Sequence, residues 1–252
     1  MTSLGQGALE RVAVVVPARD EEKLLPACLD SVVAAAHALA RQRPELTVDV
    51  VVVLDRCTDR SADVVAGYGA VRAVTSAAGC VGAARAAGVA AALRGAGDPA
   101  RTWLANTDAD TQVPTDWLLA QVGLADEGVD LVLGTVVPHD LETLVLKAWT
   151  QRHELAEGHR HVHGANLGVR GSAYRAAGGF TPVPLHEDVL LAEAVRGTGA
   201  SWVATDATRV RTASRPRGRV SGGFATYLRE LAGEVTAEVA AATGPPAAPA
   251  GR

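Results

Sequence analysis

Two apolar, largely β-branched runs, Arg11 to Val16 and Val48 to Leu54, stand near the start of the chain without polar alternation. Such runs predict parallel strands covered on both faces, because a half-exposed strand would alternate. Between them Pro26 suits the first turn of a helix, and Leu29, Val32, Val33, Ala36 and Ala40 recur at helical spacing. The unit is β-α-β. A second helix over Ser61 to Ala66 leads to a short strand at Ala70 to Val74, and a helix over Val81 to Leu93 precedes a strand at Thr102 to Asn106. Pro114 then opens a helix on which Leu118, Val122 and Ala125 share a face, before a strand at Asp130 to Gly134. Alternation of this kind predicts a doubly wound α/β fold whose ligands gather at the carboxyl ends of the strands, where Asp20, Asp55 and Asp108 fall.

Beyond about Pro138 the alternation loosens. A long helix near Leu141 to Glu157, a histidine-bearing segment, a glycine-rich stretch and a Glu-Asp helix start follow. The expected organisation is a single domain over 1–242, with a first half at about 11–137 and a second at about 138–242. The Gly/Pro/Ala tail at 243–252 is expected to be disordered.

Composition narrows the function classes. A chain of 252 residues can bury one substantial core, and its net charge of −4 argues against nucleic acid as a partner. The apolar runs are far shorter than the ~20 residues of a bilayer span, so no transmembrane segment and a cytoplasmic location are expected. Cys28, Cys57 and Cys80 are too scattered for a disulfide framework or a zinc knuckle. The wealth of alanine and glycine fits a GC-rich bacterial coding bias.

Asp108-Ala109-Asp110 carries the most chemistry. In an extended chain, carboxylates two apart point to one side, and such hard oxygen ligands suit Mn2+ or Mg2+ arriving with a diphosphate. Alone, the triplet is more often a solvated turn.

The ordered set of motifs resembles family 2 glycosyltransferases of the GT-A fold. Val16-Pro17-Ala18-Arg19-Asp20-Glu21-Glu22 is similar to the family's strand followed by Pro-X-X-Asn-Glu-Glu, with Asp20 replacing Asn. Val53 to Ser61 resembles its Asp-Asp-Gly-Ser-Thr-Asp element, retaining the second and last aspartates, and Gly79 to Gly88 its Gly-Asn-X-Gly-X-Ala-Arg-Asn-X-Gly segment, with Cys80 and Ala86 as departures. Gly164-Ala165-Asn166, Gly178-Gly179-Phe180 and His186-Glu187-Asp188 match later landmarks. The pattern resembles that of soluble dolichol-phosphate-mannose-synthase-like members. The resemblance implies a GT-A fold, a Rossmann-like nucleotide-diphospho-sugar transferase architecture with a mostly parallel central sheet flanked by helices.

It also implies a metal-dependent, inverting transfer of a hexose from a UDP- or GDP-linked donor to a hydroxyl. That acceptor is left open among lipid-linked, small-metabolite, aglycone and protein classes, and so is the oligomeric state. The implied donor site comprises Pro17, Arg19, Asp20, Glu21, Asp55, Arg85, Asp108 and Ala109. Asp55 would accept from a base edge, Asp20 or Glu21 would hold the ribose, and Arg85 would contact base or phosphate. Asp108 and Asp110, with Gln112 completing the shell, would hold the metal that neutralises the leaving group. Asp188 is the implied base that takes the acceptor proton, with Glu187 as second candidate; otherwise both merely offset a helix dipole. Asp59 is read equally well as a helix-capping turn residue.

Two weaker clusters remain. His159, His161 and His163 would share one face of a strand, a spacing that zinc ligands can have, but they run into Gly164-Ala165-Asn166 and read better as polar lining or surface. His163, Asn166 and His186 are therefore acceptor-side or diphosphate-side candidates. Arg209, Arg211, Arg215, Arg217 and Arg219, broken by Pro216 and Gly218, suggest a loop that folds over the diphosphate or captures an anionic acceptor. Two rivals stay open: nucleotidyl transfer, disfavoured because 17–22 holds no glycine-rich basic loop, and a catalytically idle sugar-nucleotide sensor or scaffold.

Overall fold

The computed structural model describes residues 7–153, 155–214 and 224–243. They form two compact units. The first runs over 7–137 and 155–213, and the second over 138–153, 214 and 224–243.

The first unit opens with β1 (Arg11–Ala18), α1 (Leu25–Gln42) and β2 (Thr47–Asp55), then α2 (Ser61–Ala66) and β3 (Val71–Ser76). Next come α3 (Val81–Leu93), β4 (Thr102–Asn106), the two-residue β5 (Thr111–Gln112), α4 (Trp117–Asp126) and β6 (Leu131–His139), whose last two residues fall in the second unit. β7 (Leu167–Arg170), α6 (Gly171–Ala176), α7 (Glu187–Gly197) and β8 (Trp202–Ala213) close it; α5 (Thr143–Arg152) and α8 (Phe224–Thr243) belong to the second unit.

One sheet has the order β3-β2-β1-β4-β7-β6-β8-β5. The block β3-β2-β1-β4 is parallel, whereas β7 runs antiparallel to both β4 and β6, and β5 antiparallel to β8. Chain order reverses between β1 and β4, so a crevice outside their carboxyl ends is the ligand position that such sheets favour.

The uninterrupted strands are buried on both faces, as their sequence requires. Val12, Val14, Val16, Val50 and Val52 pack with Leu29, Val32, Leu39, Trp117 and Leu118 on one side. Ala13, Val15, Val51 and Val53 pack with Ala84, Val89, Leu191 and Val195 on the other. α3 lies close on this second layer because Gly88 has no side chain: a Cβ there would stand 2.5 Å from Val15 Cγ1 and 2.8 Å from Val53 Cγ2.

Several expectations need correction. The buried face of α1 is Leu25, Cys28, Leu29, Val32, Ala35, Ala38 and Leu39, which leaves Ala40 exposed. Pro114 sits in a turn, its carbonyl accepting from Trp117 N–H at 3.0 Å, and α4 starts at Trp117. The long helix near 141–157 is the shorter α5. Arg209 and Arg211 lie on β8 rather than on a loop, exposed between buried Thr208, Val210 and Thr212. Arg215, Arg217 and Arg219 lie outside the described residues, as does the tail at 244–252.

In the second unit His153 stacks on Trp149 with centroids 4.1 Å apart and meets Tyr227 of α8 edge-on at 5.4 Å. Arg152 pairs with Glu234 at 2.7 Å. Among the described residues, no helix is long and apolar enough to cross a membrane.

Candidate active site

The loops after β1 and β2 interlock. Asp20, left-handed at φ 50, accepts the Thr58 N–H on Oδ1 at 2.7 Å, and Asp59 accepts the N–H groups of Glu22 at 2.8 Å and Ser61 at 2.9 Å. Donation from the Thr58 backbone holds the Asp20 carboxyl below the usual range. Asp59 thus ties the loops together and leads into α2. Among the described residues Asp20, Cys57 and Asp59 are the group of three whose ligand atoms lie within 4.8 Å, but their acids are engaged by backbone N–H groups and the thiol donates to Ala18 O.

Asp55 ends β2 almost buried, its Oδ1 accepting from Ser76 Oγ at 2.8 Å and Gly79 N at 3.0 Å. Arg19 is exposed and reaches Gly79 O at 3.5 Å, while Pro17 sits within β1 opposite Val53. Glu21 is buried and its N–H donates to Ser61 Oγ at 2.8 Å. Asp20 is exposed, whereas the Glu21 side chain is buried.

At the end of β4, Asp108 and Asp110 do not follow an extended path. Thr111 N–H returns to Asp108 O at 3.1 Å, so both acids sit in a tight turn with the Ala109 side chain in the core. That burial leaves Ala109 only its backbone to offer a ligand. Asp110 Oδ1 accepts from Thr212 Oγ1 at 3.4 Å, and Gln112 is exposed on β5 opposite Arg211. Cys28 of α1 lies beneath the turn, donating to Asp108 O at 3.3 Å; burial and the nearby Asp110 and Asp108 charges push its thiol well up.

Arg85 of α3 joins this turn to the start of α7. The guanidinium is buried, donating from Nη2 to Asp108 Oδ1 at 2.5 Å and from Nε to Glu187 Oε1 at 3.1 Å. Its Nη1 has no partner. Gly164 makes room: a Cβ there would stand 2.6 Å from Nη2. Phe180 lies with its ring centroid 5.9 Å from the guanidinium carbon.

His186 precedes α7 in the left-handed region at φ 63, an uncommon conformation for a side-chain-bearing residue, with its ring exposed. The bend turns Glu187 inward. Burial pushes the Glu187 carboxyl up, opposed by Arg85 and reinforced by Asp188 and Asp108. Asp188 is half-buried, accepting from Gly164 N at 2.6 Å on Oδ2 and from Val189 N at 2.8 Å on Oδ1.

Asn166 does not line a pocket. It is fully buried, its Oδ1 accepting from Trp117 Nε1 at 2.9 Å and its Nδ2 donating to Thr135 O at 2.8 Å and Thr208 O at 2.7 Å. A side chain so occupied braces the sheet. The three histidines stack with successive centroids 5.8 Å apart, and His163 is half-buried. His159 is buried, accepts from His161 N–H on Nδ1 at 3.2 Å and so donates from Nε2 to Leu133 O at 3.2 Å. Both ring nitrogens are used, which removes His159 as a metal ligand.

Sequence reasoning missed the part played by Gly164 and Phe180 around Arg85, because Arg85 and Glu187 are 102 positions apart. It also missed the buried pair Arg170–Asp130, joined at 3.0 Å, whose arginine further donates to Ala100 O at 2.9 Å and Ala125 O at 2.6 Å.

A Rossmann-like sheet with acids at the carboxyl ends of β1, β2 and β4, and an acidic helix start joined to the β4 turn through Arg85, is the architecture of the GT-A glycosyltransferases. The chain belongs to glycosyl transferase family 2, whose model matches residues 13–174.

Solved structures of the same fold include mannosyltransferase PcManGT from Pyrobaculum calidifontis in complex with GDP-Man and Mn2+, at 21% identity and TM-score 0.58, covering 96% of this chain and 78% of that one. S. aureus TarS 1-349 aligns at 17% identity and TM-score 0.58, over 92% of this chain; the present chain spans 64% of its length. Glucosyl-3-phosphoglycerate synthase from Mycobacterium tuberculosis, in complex with Mn2+, UDP and phosphoglyceric acid, aligns at 18% identity and TM-score 0.51, covering 94% and 80%. No curated protein sequence matches the chain.

Proposed function

We propose that the protein is a metal-dependent, inverting glycosyltransferase that moves a hexose from a nucleotide-diphosphate sugar to an acceptor hydroxyl. The observation that carries the reading is the meeting of Asp108 and Glu187 on the single buried guanidinium of Arg85, with Asp188 next in the chain. Family membership supports glycosyl transfer, and the Mn2+ bound in two of the similar solved structures supports a divalent cation.

The donor set fits such a cation. Asp108 and Asp110 are half-buried hard carboxylates in one turn at the switch point of the sheet. They would hold Mn2+ or Mg2+, with Gln112 as a further oxygen, and the bound ion would neutralise a diphosphate leaving group. Asp20 and Asp55 are assigned to the nucleoside.

Asp188 is assigned as the base. Its carboxylate is oriented by the Gly164 and Val189 N–H groups and remains half-exposed, so an acceptor hydroxyl can reach it. Glu187, buried against Arg85, positions rather than accepts. His163 and His186 remain assigned to the acceptor side.

Calorimetric titration of UDP and GDP, with and without Mn2+, on wild type and Asp110→Ala tests the reading. Mn2+-dependent binding of one nucleotide, lost in the variant, is expected. Failure of every nucleotide diphosphate to bind would overturn it.

A further inference from the structure

We infer that Arg85 is a positioning residue that couples the metal turn to the catalytic helix start, instead of reading the nucleotide base. The inference rests on the proposed donor site. A base reader would present its planar fork to a ligand edge, yet this fork is buried and already shared: Nη2 holds Asp108 and Nε holds Glu187. Gly164, whose N–H also holds Asp188, lies against the same guanidinium. Displacing Arg85 therefore displaces the metal turn, the Glu187 side chain and the loop that orients Asp188.

The test uses the full chain with two variants. Arg85→Lys keeps one charge but cannot span both acids, and Gly164→Ala crowds Nη2 from outside without removing a charge. UDP and GDP affinity with Mn2+ is measured by calorimetry, and turnover as hydrolysis of UDP-glucose or GDP-mannose, with water as the acceptor. Both variants should lower kcat by about 10²-fold, as misplacement by an ångström does, while the preference between UDP and GDP is kept. A reversed nucleotide preference with kcat retained would identify Arg85 as a base reader and overturn the inference, as would unchanged kcat in Gly164→Ala. If Arg85→Lys fails to fold, Gly164→Ala decides alone. Wild type that binds neither nucleotide would instead defeat the proposed function; coupling of Arg85→Lys with Glu187→Gln in thermal unfolding would still report the bridge.

Discussion

Asp188 accepts the Gly164 N–H at 2.6 Å, so the carboxylate at the start of α7 is fixed by the backbone turn that precedes β7. A general base must be held in direction as well as in protonation state. Asp188→Asn keeps the size and one acceptor but removes the base. Donor hydrolysis should fall by about 10²- to 10⁴-fold while Mn2+-dependent nucleotide affinity stays within a factor of about two to three. Equal loss of affinity would assign Asp188 to donor binding.

Gly88→Ala tests how closely α3 must approach the sheet. Alanine adds about 1 kcal/mol of helix propensity, but its Cβ would overlap Val15 Cγ1 and Val53 Cγ2. Overpacking should dominate, with a net loss of about 1–3 kcal/mol in denaturant unfolding. Stabilisation would show that the helix can retreat freely.

The Arg170–Asp130 pair is almost fully buried, and its arginine also closes two backbone carbonyls. Arg170→Met leaves an uncompensated carboxylate and should cost about 3–5 kcal/mol. Adding Asp130→Leu should recover a large part of that loss, as read by a double-mutant cycle in urea. Equal instability of single and double variants would assign the loss to the carbonyl contacts instead.

His153 carries a pH dependence. Burial against Trp149 holds the imidazole below its ordinary value, so folding favours the neutral ring. Its contribution is present above the unfolded-state value near pH ~6.5 and is lost as pH falls through the lower folded value. Hydrogen exchange in α5, corrected for its intrinsic pH dependence, should show protection at pH ~7.5 that declines toward pH ~5. His153→Gln should remove that decline; an unchanged profile would assign it to another group.

The legible part of the fold is the part with unbroken patterns. β1, β2 and β4 follow apolar runs that a double-faced sheet requires, with acids just past their carboxyl ends, and α3 follows its small apolar residues, whereas β3 is an edge strand of half-buried and exposed residues. β7 has only four residues, and β8 alternates threonine and valine with arginine beside Pro216 and Gly218, so neither stands out from a loop. α8 also escaped: Gly244-Pro245-Pro246 marks its end, but its alanine-rich stretch was not read as a helix. On α1, alanines at nearly every position blur the choice between Ala35 with Leu39 and Ala36 with Ala40.

By itself the sequence determined the parallel half of the sheet, the order of its acidic loops and the helix start at Glu187. Periodicity is a local property, and each of these spans a few turns of chain. The tertiary structure alone decided that Asp108 and Asp110 share a tight turn, that Asn166 is consumed by the core, and that Arg85 stands between Asp108 and Glu187. Those partners are 23 and 102 positions away, and only the packing of α3 and α7 around the end of β4 brings their charges onto one buried guanidinium.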